Sequence, residues 1–230
     1  MLIRLALALL VVAATAQPAL AQQTLNFTLG YFSVRGEDAR VDGDVVAENR
    51  EFLTFDVGEL SGGTVGAEYL IPLGNFFEAG AGIHFSRRTT TSVYTDFQAN
   101  DGSEIAQDLR LRIVPIAFTV RALPFGNSSP VQPYIGGGLG IFAWRYSESG
   151  DFINFGAPGR PVFRDTFVAD GTATGPIVLG GLRFAGDSLS AGAEIRYQAA
   201  EGEVGSDFAA PKIDLGGWSY LFTVGLRFGR

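Results

Sequence analysis

The sequence predicts an all-β fold, an eight-stranded antiparallel transmembrane β-barrel with short periplasmic turns and long extracellular loops. Three observations predict it. The chain opens with a secretory leader, it contains 31 glycines, 19 phenylalanines and 7 tyrosines, and large apolar residues repeatedly occupy every second position. Because side chains alternate across a strand, each such segment has an apolar face for lipid and a small or polar face for the barrel interior.

Residues 1–21 are expected to form a cleaved signal peptide. Arg4 supplies the positive charge, Leu5 to Ala14 the apolar run, and Ala19-Leu20-Ala21 the cleavage site. The apolar run is shorter than the roughly 20 residues that a membrane-spanning helix needs. The mature chain, residues 22–230, is predicted to be one outer-membrane β-barrel domain.

The composition argues against several classes of protein. With 17 basic and 24 acidic residues the net charge is −7, which disfavours a nucleic-acid partner because phosphate binding needs basic patches. The chain has no cysteine and a single histidine. We therefore expect no disulfide, no metal site and no cofactor.

The first three predicted strands alternate regularly over eight to eleven residues. They are Leu25 to Val34, Thr64 to Ile71 and Phe77 to Arg87. The third sets Phe77, Ile83 and Phe85 against Glu78 and His84. Such alternation indicates a strand with one buried or lipid-facing side.

The fourth predicted strand, Asp108 to Ala122, contains a break. Leu109, Leu111 and Ile113 share one parity, whereas the apolar residues after Pro115 have the other. Proline is tolerated at bulges, so we predict a β-bulge at Pro115 that keeps both apolar sets on lipid. That bulge would place Arg110 and Arg112 in the lumen.

The remaining strands are predicted at Gln132 to Trp144, Pro176 to Phe184, Leu189 to Gln198 and Tyr220 to Phe228. In the fifth, glycines 136, 138 and 140 are expected to face inward and to make room for arginines of neighbouring strands. In the eighth, one face is apolar throughout, and these residues also form the expected C-terminal assembly signal: Tyr220, Phe222, Val224, Leu226 and Phe228.

The connections alternate between short and long, as in outer-membrane barrels. Short turns are predicted at Pro72 to Asn75, Leu123 to Pro130 and Ala185 to Ser188, and long acidic loops at 35–63, 88–107, 147–175 and 199–214. Leu53 to Val57 and Val162 to Val168 could extend strands above the membrane, or cross it and raise the count to ten. Aromatic residues near the strand tops are interpreted as an interfacial girdle; they are Tyr94, Phe97, Trp144, Tyr146, Phe152, Phe155 and Trp218.

The chain resembles the small outer-membrane barrel superfamily that includes the OmpX, OmpW and opacity-protein families. The leader, the segment Pro133 to Gly138 and the aromatic-ended terminal strand carry the resemblance. It implies a bacterial outer-membrane location, contact with lipopolysaccharide and recognition by the barrel-assembly machinery. In such families the final aromatic is usually the last residue, whereas here Gly229 and Arg230 follow Phe228.

The predicted lumen is lined by charged residues, since an eight-stranded barrel is just wide enough for side chains to fill it. The predicted polar network, given a structural role, comprises Glu68, Glu78, His84, Arg110, Arg112, Arg121, Arg183, Glu194, Arg196 and Arg227. Buried charges must be paired, so these residues are expected to hold the barrel closed. The alternative is a narrow polar passage.

The leading functional hypothesis is a non-enzymatic, monomeric outer-membrane protein with a structural or surface-interaction role. The alternative is a narrow channel for small or hydrophobic solutes, as the OmpW resemblance implies. A third possibility, a lipid-modifying enzyme using His84 and Ser86, is disfavoured because residues two apart on a strand lie roughly 7 Å from each other. No catalytic residue is therefore assigned.

Overall fold

The computed structural model describes residues 22–229, so the predicted signal peptide lies outside the described residues. The strands are β1 (Gln23–Val34), β2 (Leu53–Thr54), β3 (Gly62–Pro72), β4 (Phe77–Gln98), β5 (Glu104–Ala122), β6 (Val131–Ile153), β7 (Val162–Ala185), β8 (Leu189–Gln198), β9 (Glu201–Glu203), β10 (Lys212–Asp214) and β11 (Gly217–Phe228). One short helix, α1 (Val45–Asn49), and two 3₁₀ turns (Glu37–Ala39 and Val57–Leu60) lie between β1 and β3.

Eight strands close into an antiparallel ring, which confirms the predicted fold class. The order round the ring is β1, β3, β4, β5, β6, β7, β8, β11, and β11 pairs with β1 from Gln23↔Phe228 to Val34↔Gly217. The ten-stranded alternative is wrong, because β2 pairs only with the upper part of β4 and Val162 to Val168 belong to β7. Among residues 22–229, no helix is long and apolar enough to cross a membrane.

A belt of exposed apolar side chains surrounds the end of the barrel that carries the short turns. Its most exposed members are Phe222 (73%), Ile135 (69%), Leu139 (66%) and Leu29 (65%). Water-facing surfaces seldom expose apolar patches of this extent, whereas a membrane-spanning barrel presents such a belt to lipid. The alternation predicted from the sequence is therefore the lipid-facing pattern of the structure.

Beyond this belt the strands β4 to β7 continue far past the membrane level. In this part the inward side chains are mostly apolar and the outward ones are mostly polar or charged. On β5 the buried residues are Leu109, Leu111 and Ile113, and the exposed ones are Arg110 and Arg112. Water on the outside and apolar packing inside account for this arrangement. Two predicted loops are thus mostly strand, and only residues 99–103 and 154–161 connect these hairpins at their tips.

The predicted bulge at Pro115 is absent and that prediction was wrong. Ile83↔Ile116 and Ser86↔Ile113 are Cα partners in the same register, so no residue is inserted on either side of Pro115. The facing of β5 is continuous. The apolar residues change sides in the sequence because the strand passes from lipid into water at this point, and the register shift between β4 and β5 lies higher, between Val93 and Gln98.

Residues 35–61 fold into the upper end of the barrel instead of forming a solvated loop. Their buried side chains, Val45, Val46, Leu53, Phe55, Val57 and Leu60, pack in one cluster with the inward residues of β5 and β6. Val204, Ile213 and Leu215 from the last connection join the same cluster. We call residues 35–61 the cap and this cluster the upper core.

The girdle interpretation is wrong for four of the seven aromatic residues. Tyr94, Trp144, Tyr146 and Phe152 are at most 7% exposed. Trp144 and Tyr146 belong to the upper core. Phe155 and Trp218 are exposed, at 53% and 47%.

Candidate functional site

Six buried ionic side chains lie in the interior of the barrel, in the half nearer the short turns. We call them the lumen ion network: Glu68, Glu78, Arg121, Arg183, Glu194 and Arg196. Arg121 lies at its centre with a side chain only 1% exposed. It contacts Glu68, and its Nη2 lies 2.8 Å from Glu194 Oε2. Its Nη1 lies 3.5 Å from Glu78 Oε1, so one guanidinium reaches three carboxylates.

The other two arginines complete the pairing. Arg183 Nη1 and Nη2 donate to Glu78 Oε1 and Oε2, at 3.2 and 2.8 Å. Arg183 Nε donates to Gln132 Oε1 at 2.7 Å. Arg196 Nη2 lies 2.7 Å from Glu194 Oε1. Three positive and three negative groups thus balance inside the barrel, and forked arginine contacts suit carboxylates well.

Five strands supply these charges at facing inward positions. Glu68 comes from β3, Glu78 from β4, Arg121 from β5, Arg183 from β7, and Glu194 and Arg196 from β8. Opposite Arg121, strand β6 instead supplies a small residue, Gly136. A Cβ built on Gly136 would lie 3.0 Å from Arg121 Cγ and 2.5 Å from the Val120 carbonyl oxygen, so this glycine leaves the space that Arg121 fills.

The structure separates three residues from the predicted network. Arg110 and Arg112 lie exposed on the outside, because β5 has no bulge. Arg227 lies half-buried at the end that carries the short turns, where its Nη1 donates to the Gly186 carbonyl oxygen at 2.6 Å. Placing Arg110 and Arg112 in the lumen was therefore wrong. The remaining predicted members, the six residues of the ion network and His84, are all buried in the interior.

Two residues of this interior were not singled out from the sequence. Tyr134 Oη donates to Glu194 Oε2 at 3.0 Å, and its ring lies 4.8 Å from the Arg121 guanidinium carbon. Gln132 accepts from Arg183. Both share the parity of glycines 136 and 138, so the inward assignment of those glycines was the signal that could have revealed them.

His84 and Ser86 line a small cavity above the network. Its volume is about 10 Å³, enough for about one water molecule. His84 Nδ1 lies 3.5 Å from Arg196 Nη1, whereas Ser86 Oγ donates to the Ile113 carbonyl oxygen at 3.4 Å. The cavity has no room for an acyl chain.

A buried polar cluster connects the cap to strand β6. Asn49 at the end of α1 donates to Glu148 Oε1 at 2.6 Å, and Tyr146 Oη donates to the same oxygen at 2.9 Å. Within the described chain no lysine or arginine lies within 4.0 Å of Glu148. Burial therefore raises the pKa of Glu148 and that of Tyr146.

A second buried cluster joins the cap to the last connection. Asp44 caps α1 by accepting from the Ala47 amide at 3.0 Å, and it also pairs with Arg40. Asp214 N donates to Asp44 Oδ1 at 2.6 Å, while Arg35 Nη1 lies 3.0 Å from Asp214 Oδ2. Two arginines and two aspartates thus fasten residues 35–61 to residues 199–216.

Taken together, buried side chains fill the interior at both levels. The lumen ion network occupies the lower half, and the upper core occupies the upper half. A second enclosed space, between Phe32, Leu60 and Arg88, is again only about 10 Å³. Within residues 22–229, no three His, Cys, Asp or Glu side chains group as metal ligands.

These features define a closed, membrane-spanning β-barrel with an extended part outside the lipid belt. No protein-family model matches the chain, and no curated protein is similar to it. Among solved structures, the chain is similar to Ail, the attachment invasion locus protein of Yersinia pestis, at 12% identity over 90% of this chain and 99% of that one, with a TM-score of 0.44.

It is also similar to Neisserial surface protein A, at 15% identity over 90% of this chain and 97% of that one, with a TM-score of 0.45. A third similar structure is the N-terminal β-barrel domain of Pseudomonas aeruginosa OprF, at 14% identity over 92% and 100%, with a TM-score of 0.34. All three are small outer-membrane β-barrels, the superfamily that the sequence resembles.

Proposed function

We propose that this protein is a non-enzymatic integral protein of a bacterial outer membrane with a structural or surface-interaction role. The observation that carries the proposal is the closed interior, in which paired charges fill one half and the folded cap fills the other. A barrel sealed in this way acts through its outer surface and its protruding hairpins. Beyond Arg87, β4 extends for roughly 35 Å along the strand to Gln98.

The proposal includes export through a signal peptide at residues 1–21 and insertion by the barrel-assembly machinery. The outward residues of β11, from Tyr220 to Phe228, are between 44% and 73% exposed, and we propose that they form the C-terminal assembly signal. We propose that the protein is a monomer with its hairpin tips outside the cell and its short turns in the periplasm.

Orientation is tested by epitope insertion in intact cells. An epitope between Asn100 and Asp101, at the β4–β5 tip, is expected to be labelled by antibody without permeabilisation. The matched insertion between Gly126 and Asn127, in a short turn, is expected to be labelled only after permeabilisation. The reverse pattern would contradict the proposed orientation.

The sealed interior is tested by planar-bilayer recording. The wild-type protein, shown to be inserted by its heat-modifiable gel mobility, is expected to give no steady conductance. A variant with residues 36–60 replaced by a short glycine-serine linker also stays silent, because the lumen ion network still blocks the lower half. Steady wild-type conductance would favour the channel alternative instead.

The absence of enzyme activity rests on the 10 Å³ space beside His84 and Ser86. Expression of the protein is expected to leave membrane lipid acylation unchanged. A change in acylation that disappears with His84→Ala would overturn this part of the proposal.

A further inference from the structure

Three exposed arginines stand side by side on the outer face of the barrel. Arg87 on β4 is the Cα partner of Arg112 on β5, and Arg112 is the Cα partner of Arg145 on β6. All three side chains are exposed. We call these three residues the arginine row. Arg110, also exposed, lies two residues from Arg112 on the same face of β5.

The arginine row lies at the edge of the lipid belt on each strand. Going outward along β4, the exposed apolar positions end at Phe85 and the next outward residue is Arg87. On β5 the outward residues Phe118, Ile116 and Val114 precede Arg112 in the same way. On β6 the outward positions Leu139, Ile141 and Ala143 lead to Arg145. Three strands thus pass from hydrocarbon-facing residues to arginine within one outward position, about 7 Å.

This placement is unfavourable without an anion. Like charges directly opposite each other on neighbouring strands destabilise a sheet. Within residues 22–229, no carboxylate oxygen lies within 4.0 Å of any of the three guanidinium groups. The nearest acid in the register is Asp170, the Cα partner of Arg145 on β7, which leaves Arg87 and Arg112 without an acidic neighbour in the row.

The opposite side of the barrel ends its belt differently. On β8 and β11 the outward runs end at Tyr197 and Trp218, whose ring centroids lie 4.8 Å apart. Aromatic residues at this level are the usual interfacial anchors. A chain with a net charge of −7 therefore concentrates exposed positive charge on one side of the membrane boundary.

We propose that the arginine row binds the phosphate groups of anionic lipid in the adjacent leaflet. Guanidinium groups bind phosphate through paired hydrogen bonds, and the apolar residues below them contact the acyl chains of the same lipid. This inference rests on the proposed membrane placement, in which the adjacent leaflet is the outer one and its anionic lipid is lipopolysaccharide. Arg110 is assigned as a flanking contact to the same lipid. Arg110 Nε donates to Thr89 Oγ1 at 3.0 Å.

The test measures lipid enrichment round the purified barrel. The protein is inserted into phosphatidylcholine nanodiscs that contain a small fraction of bisphosphorylated lipid A, and the lipid A retained per barrel after exchange is counted by mass spectrometry. Retention is expected to fall about fivefold for each arginine removed, and most strongly in the variant R87Q/R112Q/R145Q. The control R50Q/R160Q/R164Q removes the same charge from the extramembrane part and is expected to retain lipid A as the wild type does.

Further arms separate the possible causes. Dephosphorylated lipid A is expected to show no enrichment, and millimolar inorganic phosphate is expected not to displace the bound lipid. Equal retention in the two triple variants, equal retention of the dephosphorylated lipid, or displacement by free phosphate would each overturn the proposal. If the triple variant does not fold, Arg112→Gln alone is measured against Arg164→Gln.

Membrane placement is measured separately in the same samples. Heat-modifiable gel mobility and protection of the eight barrel strands from protease at the level of the lipid belt report insertion into phosphatidylcholine alone. Failure of the wild type to insert would refute the proposed function. Insertion without selective retention of lipid A would refute only the lipid site.

Discussion

Replacement of Arg121 by methionine is expected to destabilise the barrel strongly. Arg121 is the only network residue that contacts all three carboxylates: Glu68, Glu78 and Glu194. Its loss leaves two arginines for three buried carboxylates. Breaking a buried ion pair by removal of one partner costs roughly 3–5 kcal/mol, because the remaining charge is uncompensated.

A second variant separates charge balance from packing. Arg121→Met combined with Glu68→Gln restores two positive and two negative groups. The Glu68 replacement can still accept from Thr119 Oγ1, which lies 3.4 Å from Glu68 Oε1. The double variant is therefore expected to recover most of the stability that the single variant loses. Arg110→Met, on the exposed face, is the matched control and is expected to change stability by less than about 0.5 kcal/mol.

The assay is urea unfolding of the protein in lipid vesicles, followed by tryptophan fluorescence. The chain has two tryptophans, and Trp144 is 3% exposed in the upper core, so its emission reports loss of packing. A single variant within about 1 kcal/mol of wild type, or a double variant no more stable than the single one, would refute the balanced-charge explanation.

Three further outcomes are expected from other parts of the structure. Phe222→Arg, at the most exposed position of the belt, is expected to cost roughly 2–4 kcal/mol of insertion free energy, whereas Val168→Arg on the aqueous part of β7 is expected to cost little. Equal costs in a vesicle-folding titration would contradict the assignment of the apolar belt to lipid. Leu111→Ala in the upper core is expected to lower the free energy of unfolding by about 2–5 kcal/mol in urea titrations. Glu148→Gln keeps a hydrogen-bond acceptor for the cap and removes the free-energy cost of ionising a buried carboxyl, which grows as the pH rises above the ordinary glutamate pKa. Hydrogen exchange of residues 35–61 is therefore expected to be slower than in the wild type near neutral pH and equal to it at low pH. The expected stabilisation is about 1.4 kcal/mol for each unit by which burial raises the pKa.

The sequence alone predicted most of the membrane-spanning part correctly. Leu189 to Gln198 was predicted with the bounds that β8 has in the structure, and the inward positions Glu68, Glu78 and Glu194 followed from simple alternation. Within lipid the rule is uniform, because every outward side chain meets hydrocarbon and every inward one meets the lumen. The two-residue repeat of the sequence therefore shows directly which side chains face lipid and which face the lumen.

The extramembrane part could not be predicted in the same way. Leu109, Leu111 and Ile113 have the sequence signature of a lipid face, yet they point inward because the strand there is surrounded by water. A strand pattern shows which residues share a face but not which solvent that face meets. The bulge at Pro115 was inferred to keep one solvent along the whole strand, and that assumption failed.

The amino-acid order by itself favoured eight strands over ten and determined their alternation and the charged character of the lower lumen, because these depend on local parity and on the exclusion of water by lipid. Only the tertiary structure decided where the membrane boundary crosses each strand, that residues 35–61 close the top, and that Arg87, Arg112 and Arg145 stand in one row. These features depend on the register between strands and on contacts between residues distant in the chain, and parity along a single strand contains no information about either.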